Sequence, residues 1–154
     1  MTTRRSSGFA LTEVLVAAAV LAIGLLGQLA LLVAGLRTER AAADLATAAT
    51  LAADLGERIR ANPAAALLYA VDPGDEPPPA AVCGLATPLD AVVRAACDLY
   101  EWRREAAAAL PGPQLQVNTA AVAGTTATFC EITLRWEGEE PHGNEYTLQM
   151  QVAR

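Results

Sequence analysis

Few residues in this chain of 154 have the types and spacing that catalysis or metal binding requires. His142 is the single histidine and lies in a polar, turn-like segment, so no Ser-His-Asp arrangement is available. The three cysteines, Cys83, Cys97 and Cys130, include no Cys-x-x-Cys pair, and one histidine does not complete a zinc site with them. No glycine-rich phosphate loop occurs. The sequence therefore predicts a protein that is not an enzyme and that uses no metal or cofactor.

The most unusual residue is Glu13, because it is the one charged residue within a long apolar segment. Residues 9–36 contain 22 apolar residues out of 28, and Gln28 is the only polar residue between Val14 and Arg37 apart from glycines. As a helix this segment is about 42 Å long, enough to cross a hydrocarbon core of about 30 Å. Two arginines, at positions 4 and 5, precede it, which favours a cytoplasmic N-terminus and an exported remainder. We expect a membrane helix over residues 9–36.

Three interpretations of this segment account for Glu13 differently. A cleaved secretory signal has an apolar core of about 7–15 residues, which is shorter than the run found here. A plain signal anchor fits the length but leaves the acid unexplained, since a carboxylate at the centre of a membrane helix costs about 2.5–3.5 kcal/mol. Snorkelling of Glu13 toward the headgroups would reduce that cost. The third interpretation comes from the residues that surround Glu13.

Those residues resemble the signal of type IV prepilins. Arg4 and Arg5 are followed by Gly8, by the aromatic Phe9, and by Glu13 at the fifth position after the glycine. The resemblance implies that a prepilin peptidase cuts between Gly8 and Phe9 and that the new N-terminus at Phe9 is methylated. It also implies that Glu13 acts in assembly, where the terminal ammonium of one subunit meets the carboxylate of another.

The residues after the apolar segment predict a second, amphipathic half of the same helix. Residues 37–62 contain no proline and one glycine, Gly56, and Pro63 ends the pattern. The expected result is one helix of more than 50 residues. Its predicted apolar stripe consists of Leu45, Ala48, Ala49, Ala52, Leu55 and Ile59.

The remaining residues predict a small α+β head. Residues 63–86 are proline-rich and are predicted as a loop, and Thr87-Pro88 marks the start of a second helix that ends near Ala109. Three stretches with a period of two follow, and the last two, residues 127–136 and 146–152, predict an antiparallel hairpin with one buried face. The predicted fold is α+β and pilin-like, with the long helix packed on a small antiparallel sheet. The expected domains are a cleaved leader (1–8), a transmembrane and assembly helix (9–36) and a periplasmic head (37–154).

The N-terminal segment over residues 8–27 resembles that of PilV-type minor pilins, the type IV pilus modification proteins, and the resemblance continues through four short blocks of the head. The blocks are Glu57–Pro63, Asp98–Trp102, Leu110–Gly112 and Leu134–Trp136. The resemblance implies a minor pilin held in the inner membrane before assembly and found in the pilus at the cell surface afterwards. The implied partners are prepilin peptidase, other minor pilins, the major pilin and the inner-membrane assembly platform, and the implied roles are assembly initiation, adhesion or twitching motility. A minor pseudopilin of a type II secretion system shares the leader and Glu13, and a membrane-anchored periplasmic binding domain is an alternative of another class.

Charge and cysteine content fit an exported head. The chain has 17 acidic residues and 11 arginines without any lysine, and its formal charge of −6 becomes −8 when the leader is removed, which makes nucleic-acid binding unfavourable. In an oxidising compartment one disulfide forms among three possible pairings. Cys83–Cys97 is favoured, with Cys130 as a buried thiol on a strand. On the second helix Asp98 and Trp102 are expected to make a structural contact.

Overall fold

The computed structural model describes residues 11–75, 83, 90–138 and 144–153. Its elements are helix α1 (Leu11–Ala61), a 3₁₀ helix (Pro63–Tyr69), helix α2 (Ala91–Ala109) and strands β1 (Gln114–Ala121), β2 (Ala127–Trp136) and β3 (Asn144–Ala153). The strands form one antiparallel sheet in the order β1-β2-β3. The predicted α+β, pilin-like fold is therefore confirmed.

The chain divides into two compact units, Met1–Arg40 and Ala41–Arg154. The predicted division between membrane helix and head lay after residue 36. In the first unit every described side chain is exposed, and in the second the apolar side chains form one core. This contrast reflects composition, because the first unit has apolar residues on all faces of the helix and the second alternates apolar with polar residues.

The second half of α1 buries a narrower stripe than the sequence predicts. Ala48, Ala52, Leu55 and Ile59 are fully buried as expected. Leu45 was wrongly assigned to the stripe, because 47% of it is exposed one turn before the core begins. The helix ends at Ala61, where the following Asn62-Pro63 pair disfavours the helical conformation.

A short 3₁₀ helix replaces part of the loop predicted over residues 63–86. Pro63 occupies its first position, where a backbone N–H would have no partner within the helix. The carbonyl of Asn62 accepts a hydrogen bond from the N–H of Ala65 at 3.1 Å. Ala66 and Tyr69 are fully buried, so the segment contributes to the core. The three consecutive prolines of that predicted loop, residues 77–79, lie outside the described residues.

Helix α2 begins later than predicted and ends where expected. Asp90 was expected inside the helix, but it has extended backbone angles and is the residue before the first turn, so the helix begins at Ala91. Thr87 and Pro88, the predicted cap and first residue, lie outside the described residues. At the other end Leu110 leaves the helical conformation and Gly112 has a φ of 54°, which favours glycine.

The sheet presents the predicted face to the core. Cys130, Ile132, Leu134 and Trp136 of β2 are buried, and Met150 and Val152 of β3 extend that face. Helix α1 crosses this face at Gly56. A methyl group added there would lie 3.0 Å from Sδ of Met150 and 3.5 Å from Cδ2 of Leu148, so the small residue allows the close approach of helix and sheet.

Candidate functional site

Glu13 lies in the first turn of α1, three residues into the described chain. Its side chain is exposed, and among the described residues it makes no hydrogen bond or ion pair. This position stabilises the negative charge of Glu13, because a carboxylate near a helix N-terminus interacts favourably with the free backbone N–H groups. Gly8 and Phe9, the residues of the predicted cleavage site, lie outside the described residues.

An uncharged stretch follows Glu13 on α1. Residues 14–36 carry no charge, and they span about 34 Å at 1.5 Å per residue, close to the thickness of a hydrocarbon core. Among the described residues, α1 is the one helix that is long and apolar enough to cross a membrane. Its most apolar stretch has a mean hydropathy of 2.5, and none of that stretch is buried. The stretch includes side chains such as Ile23, 71% exposed, and Leu31, 76% exposed. An apolar surface on every face needs lipid or other helices to cover it.

The comparisons with known proteins bear on this same segment. Residues 3–27 match the prokaryotic N-terminal methylation motif. The motif is the prepilin signal of type IV pilin-like proteins and pseudopilins, so the chain carries a signal for processing by prepilin peptidase and for membrane association. Proteins with this motif are structural and not enzymatic. No curated protein and no solved structure matches the chain.

The motif match includes Glu13 and the predicted cleavage site at Gly8-Phe9, and it ends before the head begins. The chemistry of the N-terminal segment is therefore that of a peptidase substrate and of a helix that must be covered.

A cluster of charged side chains connects α1 to α2 in the head. The guanidinium of Arg58 donates to Asp54 at 2.7 Å, to Glu101 at 2.9 Å and to Glu105 at 3.3 Å. Asp98 is 4.0 Å from the same guanidinium. Burial opposes the charge, but the hydrogen bonds with Asp54 and Glu101 outweigh it and raise the pKa of Arg58. Arg58 therefore stays charged and holds the two helices together.

Arg58 and Arg60, in the last turn of α1, both form salt bridges. Within the described part of the chain, Arg60 pairs only with its helix neighbour Glu57. The acidic partners of Arg58 were not identified from the sequence. Their spacing was the available signal, since Asp98, Glu101 and Glu105 recur at intervals of three and four residues and therefore share one face of α2.

A second set of hydrogen bonds fixes the end of α1. The side-chain amide nitrogen (Nδ2) of Asn62 donates to the carbonyl of Ala91 at 2.8 Å and to the hydroxyl of Tyr69 at 3.3 Å. The Tyr69 hydroxyl in turn donates to Asp98 at 2.5 Å. Burial and the hydrogen bond to Asp98 raise the pKa of Tyr69 well above its ordinary value. Neither Asn62 nor Tyr69 was predicted to have this role.

Asp98 and Trp102 each have a partner on another element. Asp98 accepts from Tyr69 of the 3₁₀ helix, and the indole nitrogen of Trp102 donates to the carbonyl of Leu51 on α1 at 2.9 Å. These two contacts link α2 to its neighbours. Both roles are structural.

The cysteines fall into one pair and one single thiol. Cys83 and Cys97 form a disulfide with their Cα atoms 5.3 Å apart, and Cys130 is free and buried at the centre of the sheet. Burial raises the pKa of Cys130, so the thiol stays protonated and packs as an apolar group. In the described part of the chain no three His, Cys, Asp or Glu side chains are grouped to hold a metal ion.

Proposed function

We propose that the chain is a minor pilin of a type IV pilus. In this proposal it is inserted in the inner membrane with its head in the periplasm, cut between Gly8 and Phe9, methylated at Phe9, and added to a pilus by the assembly platform. There it joins other minor pilins and the major pilin, and it supports assembly initiation, adhesion or twitching. The observation that carries the proposal is the prepilin motif on an apolar segment, residues 9–36, whose one acid, Glu13, has no partner among the described residues.

Cleavage supplies the partner that Glu13 lacks. The new N-terminus at Phe9 is an ammonium four residues before the carboxylate, so every mature subunit carries both charges. At about 4 Å and an effective dielectric constant of about 20, the two charges of neighbouring subunits attract by about 4 kcal/mol. Desolvation cancels much of that energy, so the pair fixes the register of adjacent helices more than it adds stability.

The head supports the minor-pilin interpretation through the blocks that resemble PilV-type proteins. Arg58 of the first block pairs with Glu101 of the second at 2.9 Å. The third block follows the second at the end of α2, and the carbonyl of Pro111 accepts a hydrogen bond from the N–H of Glu137, directly after the fourth block. Contacts at or next to these blocks therefore link α1 with α2, and the end of α2 with the end of β2.

The first experiment determines the mature N-terminus by mass spectrometry of the chain expressed with a prepilin peptidase. We expect a methylated Phe9 in the wild type and an intact leader in Gly8→Leu, because a side chain at that position obstructs the extended peptide in the peptidase. Gly24→Ala is the matched control, since a methyl group there meets nothing within 4 Å, and it should be processed normally. An uncut wild-type chain that starts at Met1 would overturn the proposal.

The second experiment asks what Glu13 does after processing. We expect Glu13→Ala to be cut and methylated normally but to be absent from sheared pili. Glu39→Ala, which removes an exposed acid from the same helix beyond the apolar stretch, should be incorporated like the wild type. Incorporation of Glu13→Ala at the wild-type level contradicts the proposed charge pair. Loss of type II secretion with normal pili, after deletion of the gene, would assign the chain to the pseudopilins.

A further inference from the structure

The outer face of the sheet, opposite the core, is lined by side-chain amides. The chain has five glutamines and three asparagines, and four of the glutamines and one asparagine lie on this face. These five amides alternate along β1 and β3 with buried residues such as Val117 and Met150, so they point away from the core. The amides are Gln114, Gln116, Asn118, Gln149 and Gln151. All are exposed except Gln116, which is partly buried.

The charged side chains of this outer face have their partners within the face. Arg135 pairs with Glu145 at 2.6 Å. The carboxylate of Glu131 accepts hydrogen bonds from Gln149 at 2.7 Å and from Asn118 at 3.4 Å. One arginine and two glutamates leave a net charge of −1 on the three strands of this face. A strongly charged partner therefore finds no opposite charge to pair with there.

One aromatic side chain lies among the amides. Phe129 of β2 is partly exposed on the outer face, and its neighbours on the adjacent strands are Ala120 and Gln151. Contact with solvent requires only that this side of the sheet be polar, so it accounts neither for the aromatic ring nor for the choice of amides. The electron-rich face of an aromatic ring attracts the polarised C–H groups of a ligand.

We propose that this amide face, which consists of the five amides and Phe129, binds an uncharged polysaccharide. A sugar hydroxyl both donates and accepts hydrogen bonds, and a primary amide offers both in return. The C–H groups on one side of a sugar ring pack on Phe129. The side chains cover roughly 20 Å along the strands and 10 Å across them, a surface on which an extended sugar chain can lie. The inference does not rest on the minor-pilin proposal, because it uses only contacts within the head.

Retention of the full chain on insoluble, uncharged polysaccharides tests this proposal. The probes are cellulose, chitin, cross-linked dextran and agarose. The chain is kept in a polyoxyethylene detergent, because a glycoside detergent would present sugars of its own. We expect retention by at least one probe and release by soluble oligosaccharides of the same sugar. Retention should persist at about 0.5 M salt, where ionic attraction is screened. Retention by none of the probes, or its loss at that salt concentration, overturns the proposal.

Substitutions on the amide face should weaken this binding. We expect Phe129→Ala and the double variant Gln149→Ala/Gln151→Ala each to lower the affinity for the retaining polysaccharide by about five-fold or more. The matched control is Thr38→Ala/Thr50→Ala, which shortens two exposed polar side chains of α1 and should bind like the wild type. Unchanged affinity in both variants of the face, or an equal loss in the control, contradicts the proposal.

A gain of affinity separates binding from a defect in folding. Ala120 is exposed and lies opposite Phe129, so Ala120→Tyr adds a second ring beside the first and should tighten binding several-fold. The matched control Ala107→Tyr, at an exposed position of α2, should leave the affinity unchanged. Equal tightening in both variants would show that tyrosine adsorbs to the polysaccharide from any position, and no tightening in Ala120→Tyr would remove Phe129 from the site.

Cysteine labelling identifies what occupies the amide face. Soluble oligosaccharides of the retaining polysaccharide should slow the reaction of Gln149→Cys with a maleimide and leave that of the control Thr50→Cys unchanged. The native cysteines give little background, because Cys83 and Cys97 are paired and Cys130 is buried. Equal rates at position 149 with and without the oligosaccharides overturn the proposal. Protection that needs no sugar and grows with protein concentration would assign the face to a second copy of the chain instead.

Discussion

At the scale of single residues, Arg58 shows how one side chain joins two helices of the head. It is 22% exposed, and its partners are carboxylates that are between 18% and 47% exposed. Each half-exposed pair contributes little alone. The cluster matters as a whole, because removal of the guanidinium leaves four carboxylates close together.

We therefore expect Arg58→Met to lower the free energy of unfolding by about 1–3 kcal/mol. Arg60→Met is the control, because Arg60 is 47% exposed and its one partner among the described residues is Glu57. The change in its free energy of unfolding should stay within about 0.5 kcal/mol. Urea unfolding of both variants in detergent, monitored by tryptophan fluorescence, measures the difference. Equal losses of unfolding free energy would show that the cluster around Arg58 contributes no more to stability than the single ion pair of Arg60.

Tyr69 gives the head a pH-dependent stability. Its pKa is raised above the ordinary value of 10 by burial and by the hydrogen bond to Asp98. The neutral hydroxyl is therefore favoured in the folded state, and its contribution is complete below pH 10 and is lost as the pH rises above it. In that range we expect this residue alone to lower the free energy of unfolding by about 1.4 kcal/mol per pH unit.

In Tyr69→Phe the free energy of unfolding should lack this component of its decline at alkaline pH, whereas the control variant Tyr100→Phe should retain it. At pH 7 the variant should also be less stable by about 1–2 kcal/mol, because Asp98 and Asn62 lose a hydrogen-bond partner. Unfolding curves between pH 7 and 11 provide the comparison. The same slope in wild type and Tyr69→Phe would show that the hydroxyl ionises as freely in the folded state as in the unfolded state.

At the scale of elements, the crossing of α1 over β3 depends on the absence of a side chain at Gly56. We expect Gly56→Leu to destabilise the head by about 1–3 kcal/mol through overpacking against Met150 and Leu148. Ala53→Leu, on an exposed position of the same helix, is the control and should change stability by less than about 0.5 kcal/mol. Thermal unfolding of each variant measures the effect.

A double variant locates the cause. Gly56→Leu should cost less in a Met150→Ala background, because the shortened side chain leaves space for the new one. Additive losses in the two variants would mean that the destabilisation arises elsewhere, for example from a changed α1.

The Cys83–Cys97 disulfide connects α2 to Cys83, which lies fourteen residues before Cys97 in the sequence. Alkylation in denaturant without reductant should label Cys130 alone, and all three cysteines after reduction, as read by mass spectrometry. Reduction should lower the free energy of unfolding by about 3 kcal/mol, the value for a loop of this length. Labelling of Cys83 or Cys97 in the unreduced protein would contradict the pairing.

At the scale of the whole molecule, the exposed apolar surface is concentrated in the first unit. Fourteen large apolar side chains between Leu11 and Leu36 are at least 45% exposed, whereas the second unit has its own core. A fragment that begins at Ala41 should therefore be soluble without detergent and keep native tryptophan fluorescence. The full chain should require detergent. An insoluble or unfolded fragment would show that the first 40 residues are needed for the fold of the head.

The sequence alone determined the features that depend on neighbours along the chain. The prepilin motif and the apolar segment are runs of residue types, and the strands of the hairpin are visible as a period of two, since one face of each strand must be buried. The end of α1 at Asn62-Pro63 and the end of α2 after Ala109 follow from local backbone preferences. The three-residue difference at the start of α2 arose because Thr87-Pro88 satisfies a helix-start pattern without being the place where the helix begins.

Only the tertiary structure decided which distant residues meet. Four contacts join positions that are far apart in sequence: the ion pairs of Arg58, the hydrogen bond of Asn62 to α2, the close approach at Gly56, and the backbone bridge between Val71 and Val117 of β1. Such contacts depend on the angle and register at which packed elements meet, and that geometry is set by the core as a whole. Glu13 is the opposite case, because its significance follows from the sequence around it and its proposed partner lies on another subunit.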